Sequence, residues 1–282
     1  MVWQRAWRAS LGNLPVCDHS PLKQKMAAEC GKLHLMQKSI LPFHYLPGRR
    51  QDLLLLCDHA SCAIPEQYAG LGLSETDRSR HIAWDPGAEG VTRELAMRLD
   101  CPAFLGGVSR LLADLNRAPD APELILEESD GSLVPGNLGL SDLDRERRIA
   151  EWHSPYHRAI ERHLHTRLRE GWRPIVLSIH SFNPELHGRA RPWPVGLLWK
   201  YREPWLDTLF QQLRQQGLEV GDNQPYDGHV MMGYSLERHA IPNGLRHLLV
   251  EVRNDGLATQ GGQREWAQKL HAALDVAGFF TP

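Results

Sequence analysis

LLLLCDHAS, residues 53–61, runs four leucines without a polar break and then stops on an aspartate, a histidine and small residues. An unbroken apolar run this short reads as a strand covered on both faces, because a half-exposed strand would alternate apolar and polar positions. IVLSIHSF, residues 175–182, repeats the design. Two buried strands ending on histidine predict a sheet whose strand ends carry chemistry.

Working outward, short apolar runs alternate with amphipathic stretches after residue 50, the pattern of an α/β domain. Strands are expected at Asp52–Cys57, Val108–Asp114, Pro174–Ile179, Pro194–Trp199 and His247–Val252. Helices are expected at Ala88–Leu99, Ser141–Glu170, Glu203–Gln216 and Gly262–Ala277. The second helix opens at Ser141 with Asp144 three residues on, a start resembling a capping box, and stops at Gly171 and Pro174. Its His153 and His157 stand four residues apart, as metal ligands can. Together with His163 and His165 they alternate with Arg and Glu, which reads as a solvated face. Residues 118–139, with three prolines and three glycines, read as a long loop of the kind that serves as a lid or binding loop.

With 282 residues, 42% apolar and 23% charged, the chain has material for one generous domain. A net charge of −2 gives no electrostatic reason to expect nucleic acid or a membrane surface, and no apolar run approaches the roughly 18 residues of a span. These features point to small-molecule partners. Five irregularly spaced cysteines (Cys17, Cys30, Cys57, Cys62, Cys101) fit neither a zinc knuckle nor a disulfide framework, and suit a reducing cytoplasm. The first 35 or so residues carry Arg and Lys with almost no acid and precede a second start at Met36. No GxGxxG or Walker A loop supports nucleotide binding.

Ligands of open α/β sheets bind outside the carboxyl ends of the strands. His59 follows the first strand and His180 ends the 174–179 strand. HLLVEVRND brings Glu251 near its end, and SRLLADLNR delivers Arg110, Asp114, Asn116 and Arg117. A catalytic zinc needs three His or carboxylate ligands and one open position. His59 and His180 supply two. HIAWDPGA offers Asp85 as the third, although Asp85 also reads as the N-cap of a helix starting near Gly87; His81 is a weaker candidate.

CDHAS, HIAWDPGA, RLLADLNR, IHSF and GDNQPY occur in one order over residues 50–278 and together resemble the N-formylglutamate amidohydrolase family, distantly similar to zinc carboxypeptidases and aspartoacylases. The resemblance implies a zinc-dependent hydrolase of N-acyl amino acid amides. It also implies a zinc-carboxypeptidase-like α/β fold with a mixed, largely buried sheet and helices on both faces. A single domain over 41–282 would then follow an atypical extension over 1–40. Residue by residue, His59 and His180 match the two histidine ligands, Glu251 the general base and acid, and Arg110 the arginine that polarises the scissile carbonyl. Asn116 and Arg117 match the pair that binds a substrate carboxylate. Cys62 stands where the carboxypeptidase HxxE pattern has Glu, so Asp85 is expected as third ligand, with Cys62 and Glu66 as lesser alternatives. Asp58 is expected to orient His59 or to bond nearby backbone amides. Two rivals stay open: a silent carboxylate-binding protein that lost its metal at Cys62, and a Cys-His hydrolase using Cys57 or Cys62 with His59.

Overall fold

A computed structural model describes residues 40–278. Seven strands form one sheet: β1 (Phe43–Leu46), β2 (Leu53–Cys57), β3 (Ala103–Gly106), β4 (Ile175–Phe182), β5 (Val195–Leu198), β6 (Val220–Asp222) and β7 (His247–Arg253). Their spatial order is β1-β3-β2-β4-β7-β5-β6. The central strands β3, β2, β4 and β7 run parallel. β1 closes one edge antiparallel to β3, and β5 runs antiparallel to β7 before pairing with β6 at the other edge. The sheet is therefore mixed, as expected.

All five residues of β2 are buried, for the reason the sequence gives: helices cover both faces. Leu53, Leu55 and Cys57 pack with α1 (Ala88–Leu99), α4 (Pro204–Gln215) and α6 (Gln260–Val276). Leu54 and Leu56 pack on the opposite face with Tyr156, Ile160 and Leu164 of α3 (Ser154–Arg169) and Leu236 of α5 (Tyr234–His239). Each fully buried leucine contributes about 1.5–3 kcal/mol, so β2 is a rigid base for whatever its end carries.

Three expectations change. Val108–Asp114 is not a strand but a buried run of turns, and the strand beside β2 is Ala103–Gly106. Ser141–Glu170 is three pieces: α2 (Asp142–Arg148), a π-helical turn over Ile149–His153, and α3. The histidine face is not solvated. His153 and His157 are buried, while His165 alone of the four is exposed. The 118–139 loop holds a two-residue-per-strand hairpin, Glu128–Ser129 with Ser132–Leu133. The basic N-terminal segment, with Cys17 and Cys30, lies outside the described residues.

Candidate active site

β4 extends three residues beyond its expected end, so His180 lies inside the strand and not at its tip. It pairs in register with Glu251 of the parallel neighbour β7, and directly paired residues project to the same face. That is the face of Leu54 and Leu56, beneath α3 and α5. Glu251 therefore stands beside His180 because two buried strands share a register.

His59 emerges just after β2. Its Nδ1 lies 3.3 Å from Asp85 Oδ2 and its Nε2 lies 2.6 Å from Asp114 Oδ1. His180 repeats the arrangement: Nδ1 is 2.9 Å from the same Asp85 Oδ2, and Nε2 is 3.3 Å from Asp58 Oδ2 and 3.1 Å from Ser178 Oγ. Each ring thus turns Nδ1 to Asp85 and Nε2 to a second carboxylate. An acceptor on the far nitrogen, the Asp114 carboxylate for His59 and the Ser178 hydroxyl backed by the nearby Asp58 charge for His180, favours the proton there and leaves Nδ1 as a lone-pair donor. Asp58, expected to orient His59 or to bond nearby backbone amides, lies instead against His180, and Asp114 takes the place beside His59. The reason is the pleat, since Asp58 continues the Leu54–Leu56 face toward β4. Asp58 is fixed in turn by Tyr156 Oη and Ser235 Oγ, which donate to its Oδ1 at 2.8 and 2.5 Å.

Asp85 is not a helix cap. Gly87 is the N-cap of α1, and Asp85 contributes only its backbone carbonyl, which accepts from Ala88 N at 3.1 Å. Its buried carboxylate faces His59 and His180 through Oδ2, while the Arg110 guanidinium donates to Oδ1. One atom each from His59, Asp85 and His180 falls within 4.8 Å of the others, the one such grouping among the described residues. Cys62 and Glu66 are not part of it. His81 Nε2 lies 2.7 Å from the Ser181 carbonyl and 3.2 Å from Asp85 Oδ1, the oxygen turned away from His59 and His180, and burial together with Arg110 pushes its pKa down to about 3.

The cluster floors a cavity of about 360 Å³ that Arg110, Asn116, Arg117, Tyr226, Val230, Met231 and Glu251 also line. Glu251 is buried, and its Oε2 has no hydrogen-bond partner among the described residues. Burial raises its pKa against the opposing pull of His180, Arg110 and His59. Asp114, by contrast, sits below the usual carboxylate range: burial would raise it, but His59 and Arg110 outweigh that.

The substrate-side loop is braced from below. Asn116 Oδ1 accepts from Ser235 N at 3.1 Å, and the carbonyls of Leu115 and Arg117 accept from His157 and His153 Nε2, both at 2.9 Å. Gly233 precedes α5 at φ +82, and a Cβ there would stand 2.5 Å from the Asn116 amide. Arg117 is half-buried and lines the cavity, and among the described residues its side chain has one hydrogen-bonding contact, from Nη1 to Met231 Sδ at 2.7 Å.

A family model for N-formylglutamate amidohydrolase matches residues 51–258. The chain belongs to that family. It is accordingly a hydrolase that acts on amides. Among solved structures, gene product Atu2144 from Agrobacterium tumefaciens is 33% identical with a TM-score of 0.79, over 83% of this chain and 94% of that one. N-formylglutamate amidohydrolase from Ralstonia eutropha JMP134 shares the fold at 20% identity and a TM-score of 0.66, over 84% of this chain and 98% of that one. No curated protein sequence matches the chain.

The structure brings every sequence-derived site residue of this N-formylglutamate amidohydrolase family member to one cavity: His59, Asp85, Arg110, Asn116, Arg117, His180 and Glu251. It adds residues the sequence reading left without a role. Tyr226 sat inside the quoted GDNQPY motif, and Asp114 inside RLLADLNR. Tyr156 and Ser235 gave no signal, because their hydrogen bonds to Asp58 span 98 and 177 positions.

Neither cysteine of the rival Cys-His reading lines the cavity. Burial pushes the Cys57 thiol far up, away from the thiolate form a nucleophile needs.

Proposed function

We propose that the chain cleaves the amide of an N-acyl amino acid, N-formylglutamate being the substrate the family's name points to, with a zinc ion held by His59, Asp85 and His180. The observation that carries this reading is the convergence of those three donors within 4.8 Å at the floor of a substrate-sized cavity. Two imidazoles and a carboxylate suit catalytic zinc, which keeps its fourth position open. The buried, unpartnered Glu251 Oε2 beside them fits a site whose remaining members arrive with metal and substrate. When bound, the ion supplies Lewis acidity, polarising the amide carbonyl and acidifying water.

The chain's own residues do the rest. Glu251 takes a proton from the attacking water and passes it to the leaving amine nitrogen, and its burial favours the protonated form that this second step needs. Arg110 places a cation beside the cluster, where negative charge develops on the carbonyl oxygen. Asn116 and Arg117 hold the substrate's α-carboxylate, to which a guanidinium can present a fork that a lysine cannot. Residues 41–282 would make up one amidohydrolase domain behind an extension over 1–40. The free thiols of Cys57, Cys62 and Cys101 support a cytoplasmic setting. No helix of the described residues is long and apolar enough to cross a membrane.

Metal analysis of purified variants tests the centre. His59→Ala and His180→Ala should each abolish hydrolysis of N-formylglutamate and hold well under one zinc per chain, whereas full occupancy in either would remove that residue from the centre. Asp85→Asn should weaken zinc strongly with the fold intact, and Cys62→Ser should change little. The reverse ranking would move the third ligand to Cys62.

A further inference from the structure

Arg191 joins the 185–190 hairpin to β5 and is only 9% exposed. Its guanidinium lies between two aromatic rings, 5.7 Å from the centroid of Phe182 and 5.0 Å from that of Tyr226. Among the described residues its side chain has one hydrogen bond, donated from Nη1 to the Tyr226 oxygen at 3.3 Å, and no carboxylate lies within ion-pairing distance. A guanidinium carries five N–H donors, and burying a charge without partners is costly. The other deeply buried arginine shows how the fold treats a structural one. Arg148 donates to Asn137 Oδ1, the Gly136 carbonyl and the Leu112 carbonyl, at 2.6, 2.9 and 3.4 Å. Arg191 is held just as firmly by its backbone, which donates to Pro184 O at 2.8 Å and accepts from Arg253 Nη1 at 3.1 Å. Yet most of its donors are left over.

They are left over next to the active site. Tyr226 lines the catalytic cavity, and the positive charge of Arg191 acts on Glu251 and His81, both cavity residues. Because Arg191 donates to the phenol oxygen, the phenol's own proton is free to be donated elsewhere. Burial keeps that phenol protonated.

The cavity's cations can be counted against a substrate's anions. Of the two arginines that line it, Arg110 is spent on Asp85, and Arg117 is available for one carboxylate. A dicarboxylic amino acid brings two. We propose that Arg191 and Tyr226 form an anion subsite that receives the side-chain carboxylate of an N-acyl dicarboxylic amino acid. The inference rests on the reading that this site hydrolyses N-acyl amino acids, and it adds the residues that select among them. Charge-assisted bonds from both the guanidinium and the phenol would recognise that carboxylate.

The test compares N-formyl-L-glutamate with N-formyl-L-glutamine, which has the same shape without the second charge, on the zinc-loaded full chain. Charge-assisted bonds of this kind are worth about ten- to hundredfold in affinity, so kcat/KM should favour the glutamate by at least about tenfold. Arg191→Gln should collapse that preference to within about threefold, mainly by raising KM for the glutamate. Tyr226→Phe keeps the ring that packs on Arg191 and should reduce the preference several-fold, which covers the case of Arg191→Gln failing to fold. Calorimetric titration of both compounds into zinc-loaded Glu251→Gln reads the same preference without turnover. Equal affinity for the two compounds there would overturn the subsite while leaving the hydrolase reading intact. So would an equal loss on both substrates in Arg191→Gln, since that would put Arg191 on the reacting amide. A preserved binding preference with no turnover by the wild type would uphold the subsite and sink the reading of the site as an N-acyl amino acid hydrolase.

Discussion

Glu251 combines two properties that rarely coexist in a merely structural carboxyl group: it is buried among imidazoles and an arginine, yet one of its oxygens is unpartnered. If it moves protons without holding metal, Glu251→Gln should keep zinc and near-normal KM while kcat falls by about 10²–10⁴-fold or more. A variant within a few-fold of wild type would refute the role even with the metal centre correct. Asp58 and Asp114 act at one remove, each on the Nε2 side of one histidine. Losing such a partner typically costs about 10–100-fold in metal affinity. Asp58→Asn should therefore weaken zinc by roughly that factor in competition with a chromophoric chelator, with His180 still present. An unchanged affinity would mean that Ser178 alone orients the ring.

At the scale of elements, β3 explains both how the site is built and what the sequence hid. Gly106 ends β3 against the turn that leaves β2, and a Cβ there would stand 2.0 Å from the Asp58 carbonyl oxygen. Gly106→Ala must push that turn away, so it should cost about 1–3 kcal/mol in urea unfolding and lower zinc occupancy as well. A variant as stable and as metal-rich as wild type would show that the turn yields freely. The sequence points instead to Val108–Asp114, because AFLG is only four residues long and runs into a second glycine, while VSRLLAD is the longer run. Its apolar residues are indeed buried, but hydrophobicity reports burial and not backbone conformation. The carbonyls that a strand would pair are taken by side chains: Asn137 Nδ2 donates to Leu111 O at 2.9 Å and Arg148 to Leu112 O. β2, β4, β5 and β7 were legible because each is a buried run bounded by turn residues. β1 and β6 sit at the edges with four and three residues, too short to carry a pattern. The two candidate ligand histidines were legible because each follows or sits in such a run, but which carboxylate meets which histidine was not, because the pleat of β2 sends Asp58 to His180 and the turns over 108–114 bring Asp114 to His59.

For the whole molecule, one consequence of building a site on a sheet buried from both sides is a population of histidines kept neutral by the fold. His157 and His239 stack at 5.2 Å and share a contact of 2.9 Å between Nδ1 and Nε2, beneath the loop that carries Asn116 and Arg117. Burial, reinforced by the charge of Arg238, lowers His239 to about 4, and burial with the neighbouring His153 and His239 lowers His157 well below its ordinary value. A histidine whose folded pKa is depressed takes up its proton more readily in the unfolded chain, so stability is flat above pH 6.5 and lost as pH falls from there toward 4. For His239 the loss should be about 1–3 kcal/mol, and His157 adds to it in the same direction. Asp58 and Asp114, held below the ordinary carboxylate value of 3.8, withdraw their contribution only at lower pH, so the two windows separate. Urea midpoints of the chelator-treated chain, taken from pH 7.5 to 4.5, should therefore drop steadily below 6.5. In His239→Gln the midpoint at pH 7.5 should be lower and its decline with acid shallower. A parallel decline in wild type and variant would show that His239 is not among the groups through which acid unfolds the molecule.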